Sequence, residues 1–240
     1  MIGQVGPLVY TIFLDEKDMS ATRQSMGVIF DLDGVVVDTG EFHKQAWFDL
    51  ARKEGFKISE ELFLNTFGMQ NYQILPILAG RDVSAEMLKE LSEWKESRYR
   101  DLIKGKVKPM DGVLSLAADL KRHSFLLAVG TSTPRVNLDF ILENLQVDGY
   151  FDACVAGEDA ARGKPAPDTF LRAAAKLGLP PRCCVVVEDA IAGVDAGKSA
   201  GMAVVAVTST RKRGQLRRAD VIVDSLAELK AEDFMRLLSK

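Results

Sequence analysis

Gly27-Val28-Ile29-Phe30-Asp31-Leu32-Asp33-Gly34-Val35 is the stretch on which the fold of this 240-residue chain turns. A short apolar run bounded by glycines reads as a buried strand, here over 28–32. Two carboxylates one residue apart stand where that strand ends. In an open α/β sheet, ligands bind beyond the carboxyl ends of the strands, so Asp31 and Asp33 are placed for chemistry rather than for packing. Period-2 geometry sends both side chains to the same side. Two anions that close repel unless a cation or a shared proton lies between them. The pair therefore asks for a metal ion, a proton-transfer role, or both.

Further strand-like runs lie at 125–130, 152–156, 183–187, 203–207 and 220–223. Helical patterns at 113–122, 135–145, 169–177, 191–200 and 226–238 alternate with them. This alternation predicts an α/β fold, a Rossmann-like parallel sheet with helices on both faces. Asp168 is expected to cap the helix after it, and Gly178 to close it. Between Thr39 and Lys106 the rhythm stops, and only helical patterns appear, at 41–54, 60–67, 73–78 and 84–103. About 65 residues are too many for a loop. They predict an α-helical cap inserted beside the first strand's end, where it can close over the acids as a lid. The expected organisation is an N-terminal extension over 1–26, a catalytic core over 27–40 and 107–240, and the cap over 41–106. In the extension, Leu8 to Leu14 could add a strand, and Met19 and Met26 are alternative starts.

Composition narrows the class. With 47% hydrophobic and 27% charged residues and a net charge of −3, the chain is ordinary globular protein with no basic excess for nucleic acid. The one basic cluster, Arg211 to Arg218, is interrupted and reads as a solvated loop and helix face. No apolar run reaches the ~18 residues that span a bilayer, and no secretory signal is apparent. Cys154, Cys183 and Cys184 read as buried thiols in a reducing cytoplasm. A cytoplasmic monomer or weak homo-oligomer without a membrane partner is expected. With only His43 and His123, a histidine-rich metal site is excluded. His43 opens the insertion and either faces substrate or is structural; His123 reads as surface.

Three further polar features lie at the ends of later elements. Thr131-Ser132-Thr133 follows 125–130 and precedes Pro134. Hydroxyls there can bind an oxyanion with backbone N–H groups, or cap the helix. Thr131, nearest the strand, reads as functional, and Ser132 and Thr133 read first as caps. In Gly163-Lys164-Pro165-Ala166-Pro167-Asp168, two prolines stiffen the mount of one lysine, suited to a phosphate or carboxylate partner. Glu188-Asp189 then ends another strand. Such an acidic pair can favour a helix N-terminus or converge with the first pair into an oxygen-rich site suited to Mg²⁺. Gly34 permits the tight turn after the acids, and Asp38 reads as organising it.

These residues in this order resemble the four motifs of the haloacid dehalogenase superfamily: Asp31-Leu32-Asp33-Gly34-Val35-Val36-Val37-Asp38-Thr39, then Thr131, Lys164 and Glu188-Asp189. The insertion resembles its small helical cap. Asp38-Thr39, His43, Trp47 and the run Gly163 to Asp168 resemble the subgroup of β-phosphoglucomutase and its sugar-phosphate phosphatase relatives. The resemblance implies that Asp31 is a nucleophile forming an aspartyl phosphate and that Asp33 is the general acid and base. It also implies that Thr131 and Lys164 hold the phosphoryl group. The cofactor implied is Mg²⁺, bound by Asp31, the Asp33 carbonyl and Asp189 with help from Glu188. Gly34, Ser132, His43 and Lys95 are the candidate substrate contacts. The mutases supply a cap-loop lysine before a glycine and an arginine shortly after it. In Thr66-Phe67-Gly68-Met69-Gln70-Asn71, Phe67 and Asn71 stand in those places. The reading is a phosphatase acting on a small phosphorylated metabolite, with a phosphosugar mutase as the alternative. A non-catalytic binding module, the third reading, predicts loss of a core group, and none is lost.

Overall fold

The computed structural model describes residues 25–147 and 149–239; the expected strand at Leu8 to Leu14 lies outside them. Six parallel strands form one sheet in the order β3-β2-β1-β4-β5-β6. They are β1 (Met26–Phe30), β2 (Phe125–Gly130), β3 (Ala153–Val155), β4 (Cys184–Glu188), β5 (Ala203–Val207) and β6 (Val221–Val223). The chain runs outward from β1 to β2 and β3, then returns to β1's other side as β4. That reversal is a topological switch point, where open sheets bind ligands.

Alternate residues of the central strands feed two cores. Val28, Phe30, Val129 and Val187 pack with α5 (Val113–Arg122), α6 (Arg135–Leu145) and α9 (Ala231–Leu238) on one face. Ile29, Ala128 and Val186 pack with α7 (Asp168–Lys176) and α8 (Ile191–Ser199) on the other. Four helices lie between β1 and α5: α1 (Gly40–Glu54), α2 (Glu60–Thr66), α3 (Asn71–Ala79) and α4 (Ala85–Ile103). They surround a third cluster that includes Trp47, Leu50, Phe63, Leu75 and Leu91. Ser59 and Ser84 cap α2 and α4 by accepting from the Leu62 and Met87 amides at 3.1 and 3.2 Å.

The structure corrects several local expectations. The first strand stops at Phe30, because the Leu32 carbonyl accepts from the amides of Val35, Val36 and Val37 and turns the chain. That turn is closed by backbone bonds, and Asp38 is exposed rather than organising it. Asp168 is the first residue of α7 instead of its cap, and Arg162 binds its carboxylate at 2.9 Å. The final helix starts late: Glu228 Oε1 accepts from the Asp224 and Ser225 amides at 2.8 Å and closes a separate turn. Asp119 Oδ2 then takes the Ala231 amide at 2.9 Å and starts α9.

Candidate active site

Parallel register brings the site together. Phe30 pairs with both Val129 and Val187, so the residues following β1, β2 and β4 emerge side by side. The Asp31 amide extends the ladder by donating to the Val187 carbonyl at 2.9 Å, and the Thr131 amide donates to the Val155 carbonyl at 3.0 Å.

Lys164 is wholly buried, its Nζ 2.6 Å from Glu188 Oε1 and 3.0 Å from Asp31 Oδ1. Burial alone would lower its pKa, but Asp31 and Glu188 together hold it above the usual lysine range. The other Glu188 oxygen accepts from the Asp189 and Ala190 amides at 2.8 and 2.7 Å, where α8 begins. Gly193 makes this fold-back possible, since a Cβ there would lie 1.6 Å from Glu188 Oε1. Asp189 Oδ2 accepts from Thr210 Oγ1 at 2.5 Å, and its Oδ1 is buried without a hydrogen-bond partner among the described residues. Gly34, at φ +79°, backs this carboxylate; a Cβ there would sit 2.2 Å from Asp189 Oδ2.

Asp31, Glu188 and Asp189 present oxygens within 4.8 Å of one another. Three carboxylates against one ammonium leave an excess of negative charge in a buried site. Burial, then repulsion from Glu188, pushes the Asp189 carboxyl up to about 8. Burial also raises Asp31, only partly offset by Lys164. Such an all-oxygen cluster with an orphaned carboxylate oxygen fits a hard divalent cation.

Asp33 is held apart from the cluster. Its Oδ1 accepts from Thr39 Oγ1 at 2.5 Å and lies 3.0 Å from His43 Nε2; its Oδ2 accepts from Thr133 Oγ1 at 2.5 Å. Burial would raise its pKa, but the His43 ring and these hydrogen bonds outweigh burial and hold it well below the usual carboxylate range. The two acids of the opening stretch therefore do not share one cation through their side chains. The turn at Leu32 aims them at different partners.

Behind Asp33, Lys95 Nζ lies 2.9 Å from His43 Nδ1 and 2.8 Å from Glu96 Oε1. A protonated Lys95 donates to Nδ1, which places the ring proton on Nε2, facing Asp33. Tyr99 stacks on the ring at 4.0 Å between centroids. Both His43 and Lys95 are buried; neither lies on a solvated helix face.

A cavity of about 40 Å³ opens between the insertion and the strand ends, lined by Asp31, Asp33, His43, Lys95, Thr131 and Ser132 among others. Gly34 is not among its lining residues and serves Asp189 instead. Ser132 Oγ donates to the Gly68 carbonyl at 2.8 Å, tying the insertion to the core. Thr133, read as a helix cap, spends its hydroxyl on Asp33. The basic cluster also departs from a solvated face. Arg211 is buried, donates to the Thr210 carbonyl at 2.9 Å and to the Leu64 carbonyl, and lies over the Phe67 ring. Glu96, Asn137 and Thr210 were not singled out by the motifs, and Thr39, which stood in the first motif without a role, binds Asp33. Thr210 had a signal, because Thr208-Ser209-Thr210 repeats after β5 the tripeptide that follows β2.

The haloacid dehalogenase-like hydrolase family model matches residues 28–207, and the chain is an enzyme of that family. It is 35% identical over 215 residues to the β-phosphoglucomutase of Bacillus subtilis (strain 168), covering 85% of this chain and 92% of that one. It is 32% identical over 176 residues to the fructose-1-phosphate phosphatase YqaB of Escherichia coli (strain K12), covering 73% and 93%. The crystal structure of β-phosphoglucomutase from Clostridium difficile superposes with a TM-score of 0.83 at 29% identity, over 90% of this chain and 98% of that one.

Proposed function

We propose that the protein is a Mg²⁺-dependent phosphatase of a small phosphorylated metabolite, such as a sugar phosphate, working through an aspartyl phosphate with 41–106 as its cap. The observation that carries this reading is the division of labour between the two aspartates. Asp31 lies against the Lys164 ammonium, while Asp33 sits among proton-donating side chains on the other side of the turn. An Asp31 carboxylate oxygen attacks phosphorus, and the P–O bond to the ester oxygen breaks as Asp33 gives that oxygen a proton. Asp33 is held as an anion by its partners, and a neighbouring phosphate dianion raises its pKa toward the protonated form this step needs. In the second step, water gives its proton to Asp33 and attacks phosphorus, freeing inorganic phosphate and Asp31. Lys164 and Thr131 hold the phosphoryl oxygens and offset their charge. Asp31 and Asp189, with the Asp33 carbonyl, would hold the metal, and Glu188 would add charge while anchoring Lys164. A bound Mg²⁺ supplies charge neutralisation for the phosphoryl group.

Asp31→Asn is expected to lower Mg²⁺-dependent phosphate release from p-nitrophenyl phosphate at least ~1,000-fold, as for loss of a covalent nucleophile. Retained turnover refutes the assignment. The mutase reading requires β-glucose 1-phosphate with a trace of bisphosphate to give glucose 6-phosphate; free phosphate is the expected product.

A further inference from the structure

The part of the cavity wall supplied by α3 and α4 carries charge that is already spoken for. Among the described residues, its only lining lysine or arginine is Lys95. Glu96 takes that ammonium at 2.8 Å. The same carboxylate is fixed by two amides: Asn71 Nδ2 donates to Oε1 at 2.8 Å, and Asn137 Nδ2 donates to Oε2 at 2.6 Å. Arg100 in turn is engaged by Asn137 Oδ1 at 2.6 Å. Arg135 follows the lining residue Pro134, yet its guanidinium turns away to Asp159 at 2.5 Å. Arg211 is held by backbone carbonyls. Trp47, Phe67, Met69 and Ile74 make up the apolar part of the wall.

An anion entering this end would have to be desolvated without a free cation and would meet a fixed carboxylate. Like charges brought together in a desolvated interface cost several kcal/mol. We propose that Glu96 is a specificity-determining residue that closes the distal end of the pocket to a second phosphate. The substrate is then a monophosphate ester with an uncharged, hydroxyl-bearing remainder. Its carbon skeleton lies on the apolar wall, and its hydroxyls meet Asn71 and Glu96. This rests on the hydrolytic reading above and adds the class of ester accepted.

The test is competition against p-nitrophenyl phosphate by matched pairs: fructose 1-phosphate with fructose 1,6-bisphosphate, and glucose 6-phosphate with glucose 1,6-bisphosphate. For the wild-type enzyme, each bisphosphate is expected to inhibit at least ~10-fold more weakly than its monophosphate partner. In Glu96→Gln, which keeps the shape but frees the Lys95 charge, that ratio is expected to shrink by about tenfold. A ratio near one in the wild type, or an unchanged ratio in Glu96→Gln, overturns the proposal. The wild-type ratio decides alone if the variant does not fold. No aryl phosphate turnover at all would sink the hydrolytic reading and this one together, whereas turnover with tight bisphosphate binding sinks only this one.

Discussion

Neutralising one carboxylate of the acidic cluster should stabilise the metal-free protein while destroying its response to metal. Asp189→Asn is the sharpest form of this test. The wild-type carboxyl is raised to about 8, against ~3.9 for an unfolded aspartate. The folded state therefore binds more protons than the unfolded state between these values, and stability falls as pH rises through that window. At pH 7 the difference corresponds to roughly 4 kcal/mol, and at pH 5 to only about 1.5 kcal/mol. Asparagine keeps the volume and can still accept from Thr210, while its amide faces Glu188 and Asp31 as a donor instead of a third anion. Part of the difference is lost to imperfect amide geometry, leaving a net gain of about 2–3 kcal/mol at pH 8, or ~4–12 °C in Tm. The assay is thermal unfolding of both proteins in EDTA at pH 5 and pH 8, repeated in millimolar Mg²⁺. The variant should exceed the wild type at pH 8 in EDTA, match it at pH 5, and gain nothing from Mg²⁺. A variant less stable than wild type at pH 8 without metal, or one stabilised equally by Mg²⁺, would refute both the repulsion argument and the ligand assignment.

Two further outcomes follow from the same geometry. His43→Asn breaks the path from Lys95 to Asp33 and removes a hydrogen bond to a charged group worth ~1.5–3 kcal/mol; kcat for an alkyl phosphate should fall ~10–100-fold. An aryl phosphate, whose leaving group needs little protonation, should lose much less, and equal losses would contradict Asp33's role as acid. Gly34→Ala places a methyl group 2.2 Å from Asp189 Oδ2 at a φ of +79°. It should weaken Mg²⁺ affinity at least ~10-fold, by titration calorimetry, the scale of a change in a metal's supporting shell.

The carboxyl edge of the sheet was legible because strand ends punctuate sequence clearly. An apolar run that stops at an acid or a hydroxyl marks that edge, and Asp31, Thr131, Glu188 and Asp189 carry the mark, whereas Lys164 was marked by the two prolines that stiffen its mount. The separate fates of Asp31 and Asp33 were not legible. They depend on where the strand releases into a turn, and the triple use of the Leu32 carbonyl that ends it leaves no residue signature. Glu96 was hidden for another reason, and Lys95 was named only through the resemblance: on a helix as charged as α4, a buried pair looks like two more solvated charges. Only packing against Trp47 and Asn137 from other segments distinguishes them. Arg211 was misread likewise, as part of a basic run whose other members are exposed.

The entry to α3 grips the Lys164 loop and the loops that follow β2 and β3. Gln73 Nε2 donates to the Lys164 carbonyl at 3.2 Å, and Tyr72 Oη accepts from the Gly163 amide at 2.9 Å. Gln70 Nε2 donates to the Gly157 carbonyl at 2.8 Å, next to the Gly68–Ser132 contact. A cavity of about 40 Å³ is well below the ~300–1,000 Å³ of ordinary ligand pockets. Under the proposed hydrolytic reading an ester of ordinary size is therefore expected to enter with these tethers parted, and the posture that takes in a guest would be one in which the lysine loop has lost its outer brace.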